Sequence, residues 1–166
     1  MFTASYWTWC SEMKRTRSIS HCPNLLLLIC VSFFLTKVAY SDVVIIVNHD
    51  NPTTQLTKED VKDIFLGRMT RFPNTNLAVY PAEISETNQE KKIFYKSIAN
   101  KSITKINRYW ARYLFTGKIS PPKRLSSYQE IINLVSSNRS GISYIDSKDI
   151  LPSIKVVLTL PNQPSP

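Results

Sequence analysis

The apolar run from Leu25 to Leu35, interrupted only by Ser32, divides this chain into two parts with different fates. A membrane-spanning helix needs about 20 apolar residues, and this run is much shorter, with Asn24 before it and Lys37 behind it. Lys14, Arg15 and Arg17 precede the run and the small-residue pattern Ala39-Tyr40-Ser41 follows it. That order of positive, apolar and small is the layout of a secretory leader. Residues 1–41 are therefore expected to be a signal peptide, cleaved between Ser41 and Asp42. An uncleaved anchor is the alternative, and the membrane is expected as a partner only through such an uncleaved signal. A lipid attachment at Cys30 is weaker, because Ile29 before it is bulky. Met13 opens a better-proportioned leader than Met1 does. All three cysteines (Cys10, Cys22, Cys30) fall in this segment, so the remainder must fold around an ordinary core without disulfides.

Removing the leader takes away four cations (Lys14, Arg15, Arg17, Lys37) and one acid (Glu12), which lowers the net charge from +9 to +6. The remaining segment reads as one domain. Val43 to Val47 is a continuous β-branched run, the pattern of a buried strand. Thr57 with Asp60 three residues on forms a capping box, followed by Val61, Ile64 and Phe65 at helical spacing and Gly67 as the stop. Leu77 to Tyr80 reads as a second strand ended by Pro81. Thr87 and Glu90 suggest another capping box, with Ile93, Phe94 and Ile98 behind it. Ile103, Ile106, Trp110, Tyr113 and Leu114 make the apolar face of a further helix closed by Gly117. Pro121-Pro122 prevents its continuation. Ser127 and Glu130 open a helix containing Ile131, Ile132, Leu134 and Val135. Gly141 leads into a strand from Ile142 to Ile145, and Ile154 to Leu160 is a last strand. Residues 42–160 thus form the domain, and residues 161–166 are expected to be a disordered tail. Alternating strands and helices argue for an α/β domain with one central sheet.

The inventory for catalysis is thin. Beyond the leader there is one histidine, His49, and no cysteine, so neither a nucleophile–base pair nor a clustered metal site can be assembled. No catalytic residue, metal or cofactor is expected, and the chain reads as a binder. Two features carry that reading. The first is the loop Glu83 to Asn88 at the start of a helix, where free N–H groups and positive potential favour an anion. The Ser85 and Thr87 hydroxyls, the Asn88 amide and the Lys91 ammonium would add donors. Against this, Thr87 would serve equally as a plain cap, and Glu86 and Glu90 bring like charge. The second feature is a basic stripe of Lys105, Arg108 and Arg112, flanked by Lys101 and Lys118. It reads first as a solvated helix face. Contact with nucleic acid or acidic lipid is the alternative, but no recognition helix or stacking platform accompanies the stripe, so nucleic acid is not expected as a partner.

Several segments in order resemble a known family. They are Val43-Val44-Ile45-Ile46-Val47-Asn48, Asp63-Ile64-Phe65-Leu66-Gly67-Arg68, Tyr109 to Lys118, Pro121-Pro122-Lys123, and Gly141-Ile142-Ser143-Tyr144-Ile145. Together they resemble the short bacterial proteins related to the phosphate-binding component of phosphate ABC transporters. The resemblance covers Val43 to Leu160. It implies a type II periplasmic-binding-protein-like fold, a single domain with a central mixed sheet flanked by helices. It further implies a periplasmic location, phosphate or a similar small oxyanion as ligand, and an ABC transporter permease or envelope protein as partner. The anion loop differs from the family's Gly-Ser-rich turn: it reads Ile84-Ser85-Glu86-Thr87-Asn88, and Lys91 stands where short relatives carry arginine. Under the resemblance the ligand-binding residues are Ser85, Thr87, Asn88 and Lys91. The rival expectation is an envelope interaction protein that keeps the fold without the ligand.

Overall fold

The structure is a computed structural model that describes residues 41–114, 117 and 119–162. The expected leader, apart from Ser41, lies outside the described residues, as does the tail beyond Asn162. Of that tail, Asn162 is tied down: its N–H donates to Asp42 Oδ1 at 3.0 Å. No helix among the described residues is long and apolar enough to cross a membrane.

Among the described residues, five strands and four α-helices follow one another in the order β1 (Val43–Asn48), α1 (Lys58–Phe65), β2 (Tyr80–Ile84), α2 (Gln89–Ala99), α3 (Ile103–Leu114), β3 (Lys123–Leu125), α4 (Tyr128–Ser137), β4 (Gly141–Asp146) and β5 (Ile154–Leu160). The strands form one mixed sheet in the order β3-β2-β4-β1-β5. β1 runs antiparallel to β4 and β5, whereas β2 runs parallel to β3 and β4.

β1 explains why the sheet is covered on both sides. All six of its residues are buried, as an unbroken β-branched run requires. Val43, Ile45 and Val47 face one cluster with Val61, Ile64 and Phe65 of α1, Phe94, Tyr95 and Ile98 of α2, and Ile106 and Trp110 of α3. Val44 and Ile46 face the other, with Ile131 and Val135 of α4. Three layers result. In the thicker half, Phe94 stacks on Tyr144 of β4 with ring centroids 4.0 Å apart and meets Phe65 edge-on at 4.7 Å. Gly67 has φ +70°, and a Cβ there would come within 3.1 Å of the Trp110 ring, so the glycine both ends α1 and admits the indole.

Several expectations need correction. The second strand begins where it was expected to end: Leu77–Val79 pairs back on Thr70–Phe72 through a bridge between Arg71 and Ala78, and β2 runs on through Pro81. Pro81 is tolerated because Tyr80 N–H points to β4, donating to Ser140 O at 2.8 Å. Position 81 therefore turns to the opposite side, where pairing with β3 starts only at Ala82. β3 itself was not anticipated. The cap of α2 is Asn88 rather than Thr87; its side chain accepts from Lys91 N–H at 3.0 Å. Asparagine is as good a cap as threonine and its extended backbone starts the helix one residue later. Leu114 is 59% exposed and lies off the apolar face of α3.

Candidate functional site

The three mutually parallel strands end on one edge of the sheet, at Leu125, Ile84 and Asp146. Ligands of open α/β sheets bind outside the carboxyl ends of such strands. Here that edge carries the loop Ser85–Asn88, the pair Ser126–Ser127, and the turn Ser147–Asp149. The first two loops lead into the N-termini of α2 and α4. They are stitched together: Ser85 N–H donates to Leu125 O at 2.8 Å, and Asn88 Nδ2 donates to the Tyr128 hydroxyl at 2.7 Å. That hydroxyl lies 3.4 Å from Glu90 Oε2. Burial pushes the Tyr128 pKa up to about 12, eased by the Asn88 hydrogen bond and reinforced by Glu90.

The four residues expected to hold an anion fall into two groups. Ser85 and Thr87 are exposed, and their hydroxyls make no hydrogen bond among the described residues. Asn88 is committed at both ends of its amide, to Lys91 N–H and to Tyr128. Lys91 is turned inward: its side chain is 4% exposed, and Nζ donates to Glu83 Oε1 at 2.9 Å and to Ile84 O at 2.8 Å. The structure thus brings Ser85 and Thr87 to the open face of the loop and sets Asn88 and Lys91 behind it. First-turn N–H groups of α2 remain without an intrahelical partner, as in any helix. Glu86 is exposed beside them and Glu90 half-buried.

Behind the loop lies a buried network the sequence reading missed. Glu83 is 3% exposed and receives Lys91 Nζ on Oε1 and the Tyr95 hydroxyl on Oε2 at 2.7 Å. Arg124 Nε of β3 stands 3.6 Å from Oε1, its side chain half in solvent. Burial first, and the Glu83 carboxylate second, hold the Tyr95 pKa well above its ordinary value. The Tyr144 hydroxyl is buried with no hydrogen-bond partner among the described residues, and burial, then Glu83, push its pKa up as well. The signal for this network was strand alternation: once β2 is placed at 80–84, Ile84 faces α4, and Glu83 must face the α1–α3 layer. Among the described residues no group of three or more His, Cys, Asp and Glu side chains could hold a metal.

No family model matches the sequence, and no curated protein matches it. Solved structures do. An ABC-type phosphate transport receptor from Vibrio cholerae superposes with a TM-score of 0.56 at 18% identity, over 70% of this chain and 45% of the receptor. A protein described as a phosphate ABC transporter substrate-binding protein, with bound phosphate, from Clostridium perfringens gives 0.58 at 19%, over 72% of this chain and 45% of that one. A protein described as phosphate-binding from Planctomyces limnophilus gives 0.54 at 9%, over 70% and 40%. The chain therefore spans less than half the length of each of these proteins. What it shares with them is the fold, a mixed α/β sheet flanked by helices.

Proposed function

We propose that residues 42–160 are an exported solute-binding module. It takes a small oxyanion, phosphate first among them, at the carboxyl edge of β2, for uptake or sensing beside an ABC transporter. The leader 1–41 would direct it to the periplasm. The observation that carries this reading is the open face of the β2–α2 loop. Two exposed, uncommitted hydroxyls, Ser85 and Thr87, stand beside the N-terminus of an 11-residue helix, in a fold otherwise seen in phosphate receptors. Helix N–H groups and hydroxyls are donors suited to an oxyanion. Asn88 and Lys91 then act from behind, fixing the loop. Glu86 and Glu90 oppose a fully ionised anion but can accept a hydrogen bond from a protonated one, which favours phosphate over sulfate at neutral pH.

A second reading rests on a specific observation. Lys91, the lysine expected to face the ligand, is already neutralised by Glu83 and turned away from the Ser85 and Thr87 hydroxyls. That is the arrangement of a domain that keeps the fold and serves the envelope as an interaction protein without a ligand.

Calorimetric titration at low ionic strength separates the two. A solute receptor gives saturable phosphate binding in about the micromolar range, with sulfate much weaker. The double variant Ser85→Ala, Thr87→Ala then loses about tenfold or more in affinity, since a hydrogen bond to a charged partner is worth about 1.5–3 kcal/mol. No heat and no thermal stabilisation at millimolar phosphate leaves the ligand-free reading.

A further inference from the structure

From Lys91 to Gln129 the chain carries ten lysine and arginine residues and no carboxylate. The fold gathers four of them into one place. Lys92 and Lys96 on α2, Lys101 in the connection, and Lys105 on α3 line a groove of about 770 Å³ whose twelve lining residues include no acid. Lys92, Lys96 and Lys105 are exposed, and none of the four lies in a salt bridge among the described residues. Arg108 and Arg112, both exposed, continue the positive track along the outer face of α3.

The arrangement works against the fold. Lys92 and Lys96, and again Arg108 and Arg112, are like charges four apart on a helix, each pair destabilising by a few tenths of a kcal/mol. Lys105 sits in the first turn of α3, where the helix dipole favours an acid and none is present. Local choices that oppose stability without a packing return mark functional surfaces.

We infer that this groove binds a linear, base-free polyanion, a chain of condensed phosphates being the chemistry it fits. The groove and its continuation are longer than one small anion requires, and the charge is spread over two helices and their connection. Lysines are flexible point charges that impose no bidentate geometry, which suits a repeating charge of variable torsion. The amide and hydroxyl of Asn100 and Ser102 add donors within the same lining. The only apolar side chains in the lining are Ile93 and Ile103, so bases would find no aromatic surface to stack on. A lipid bilayer asks for a flat or convex face with apolar groups beside the cations. This site is concave, and the exposed Leu114 lies at the far end of α3. Thr87 also lines the groove, so it adjoins the oxyanion site, but the inference rests on the four lysines and not on the Ser85 and Thr87 hydroxyls.

The test uses protein purified from expression of the full chain, titrated with inorganic polyphosphate of defined length, orthophosphate, a single-stranded oligonucleotide, and vesicles rich in anionic phospholipid. Polyphosphate is expected to bind far more tightly than orthophosphate. Its affinity should fall with log salt at a slope of about −2 to −3, as about 0.7 counterions are released per contact for four lysines. Lys92→Glu with Lys105→Glu should weaken binding by about tenfold or more. Lys58→Glu with Arg68→Glu, equal in net charge change but on the α1 side, should change it less than about twofold. Lys92→Gln with Lys105→Gln is the milder variant, whose melting temperature should not fall. Equal losses in both charge-reversed proteins, tighter binding to the oligonucleotide, or binding to vesicles alone would each overturn the inference.

Discussion

The carboxyl edge of β2 and the α2–α3 groove use lysine in opposite ways. Lys91 is sealed against Glu83 with its ammonium held by two acceptors, whereas one residue later Lys92 stands in solvent, in a groove lined by no acid and in no salt bridge among the described residues. A buried ammonium is tolerable only when a carboxylate and a carbonyl receive it, and Glu83 and Ile84 do so. An exposed ammonium has water for a partner, so four of them can share a groove at a small cost in repulsion. The difference separates charge that holds the molecule together from charge available to another molecule.

The largest effect should come from breaking the inward pair. Lys91→Met leaves the Glu83 carboxylate buried beside Tyr95 without its cation, and should cost about 3–5 kcal/mol in urea unfolding. Replacing both partners, Lys91→Met with Glu83→Leu, should recover much of that loss, because an apolar pair needs no desolvated charge. A Lys91→Met protein as stable as the parent would mean the pair is not closed as described.

Tyr95→Phe comes next. It removes the donor to Glu83 Oε2 and leaves a buried acceptor unpaired, for about 1–3 kcal/mol. The same substitution at Tyr144, whose hydroxyl has no hydrogen-bond partner among the described residues, should be nearly neutral or stabilising. Comparing the two variants sharpens the boundary of the network.

The smallest effect is on pH dependence. Tyr128 has its folded pKa raised from 10.0 to about 12, so the folded state holds the proton more tightly than the unfolded chain does. The stabilisation is complete below pH 10 and is lost as pH rises from 10 towards 12. Tyr95 and Tyr144 shift in the same direction and extend the loss to higher pH. Unfolding followed from about pH 8 to 12 should show falling stability, and Tyr128→Phe should flatten the first part of the decline. An unchanged slope in that variant would show that Tyr128 is solvated rather than lodged between Asn88 and Glu90.

Local patterns were read well where a residue's own neighbours decide its state. The all-buried run of β1, the Thr57–Asp60 capping box of α1, the span of β5 from Ile154 to Leu160, and the caps at Ser127 and Gly67 follow from periodicity and end chemistry. The reading failed where a distant strand decides. Pro81 ends a strand by local rule, yet lies inside β2 because its missing N–H faces a side that β3 has not yet reached. Three-residue β3 has no pattern of its own and exists because β2 offers it an edge. Of the candidate site, the loop and its hydroxyls were legible, but the fate of Lys91 was not.

The order of residues alone settles the alternation of strands and helices, the burial of β1 on both faces, and the absence of carboxylates from residues 91–129. These are properties of spacing and composition along the chain, and no partner is needed to express them. Tertiary structure alone decided which strands lie side by side, and that Asn88 rather than Thr87 caps α2 and reaches Tyr128. It also decided that one lysine faces a carboxylate while its neighbours face solvent. The reason is geometric: neighbours on a strand point to opposite faces and neighbours on a helix are turned about 100° from each other, so Lys91 and Lys92 cannot share one environment. Only the packing of α2 on β2 settles which of them is inside.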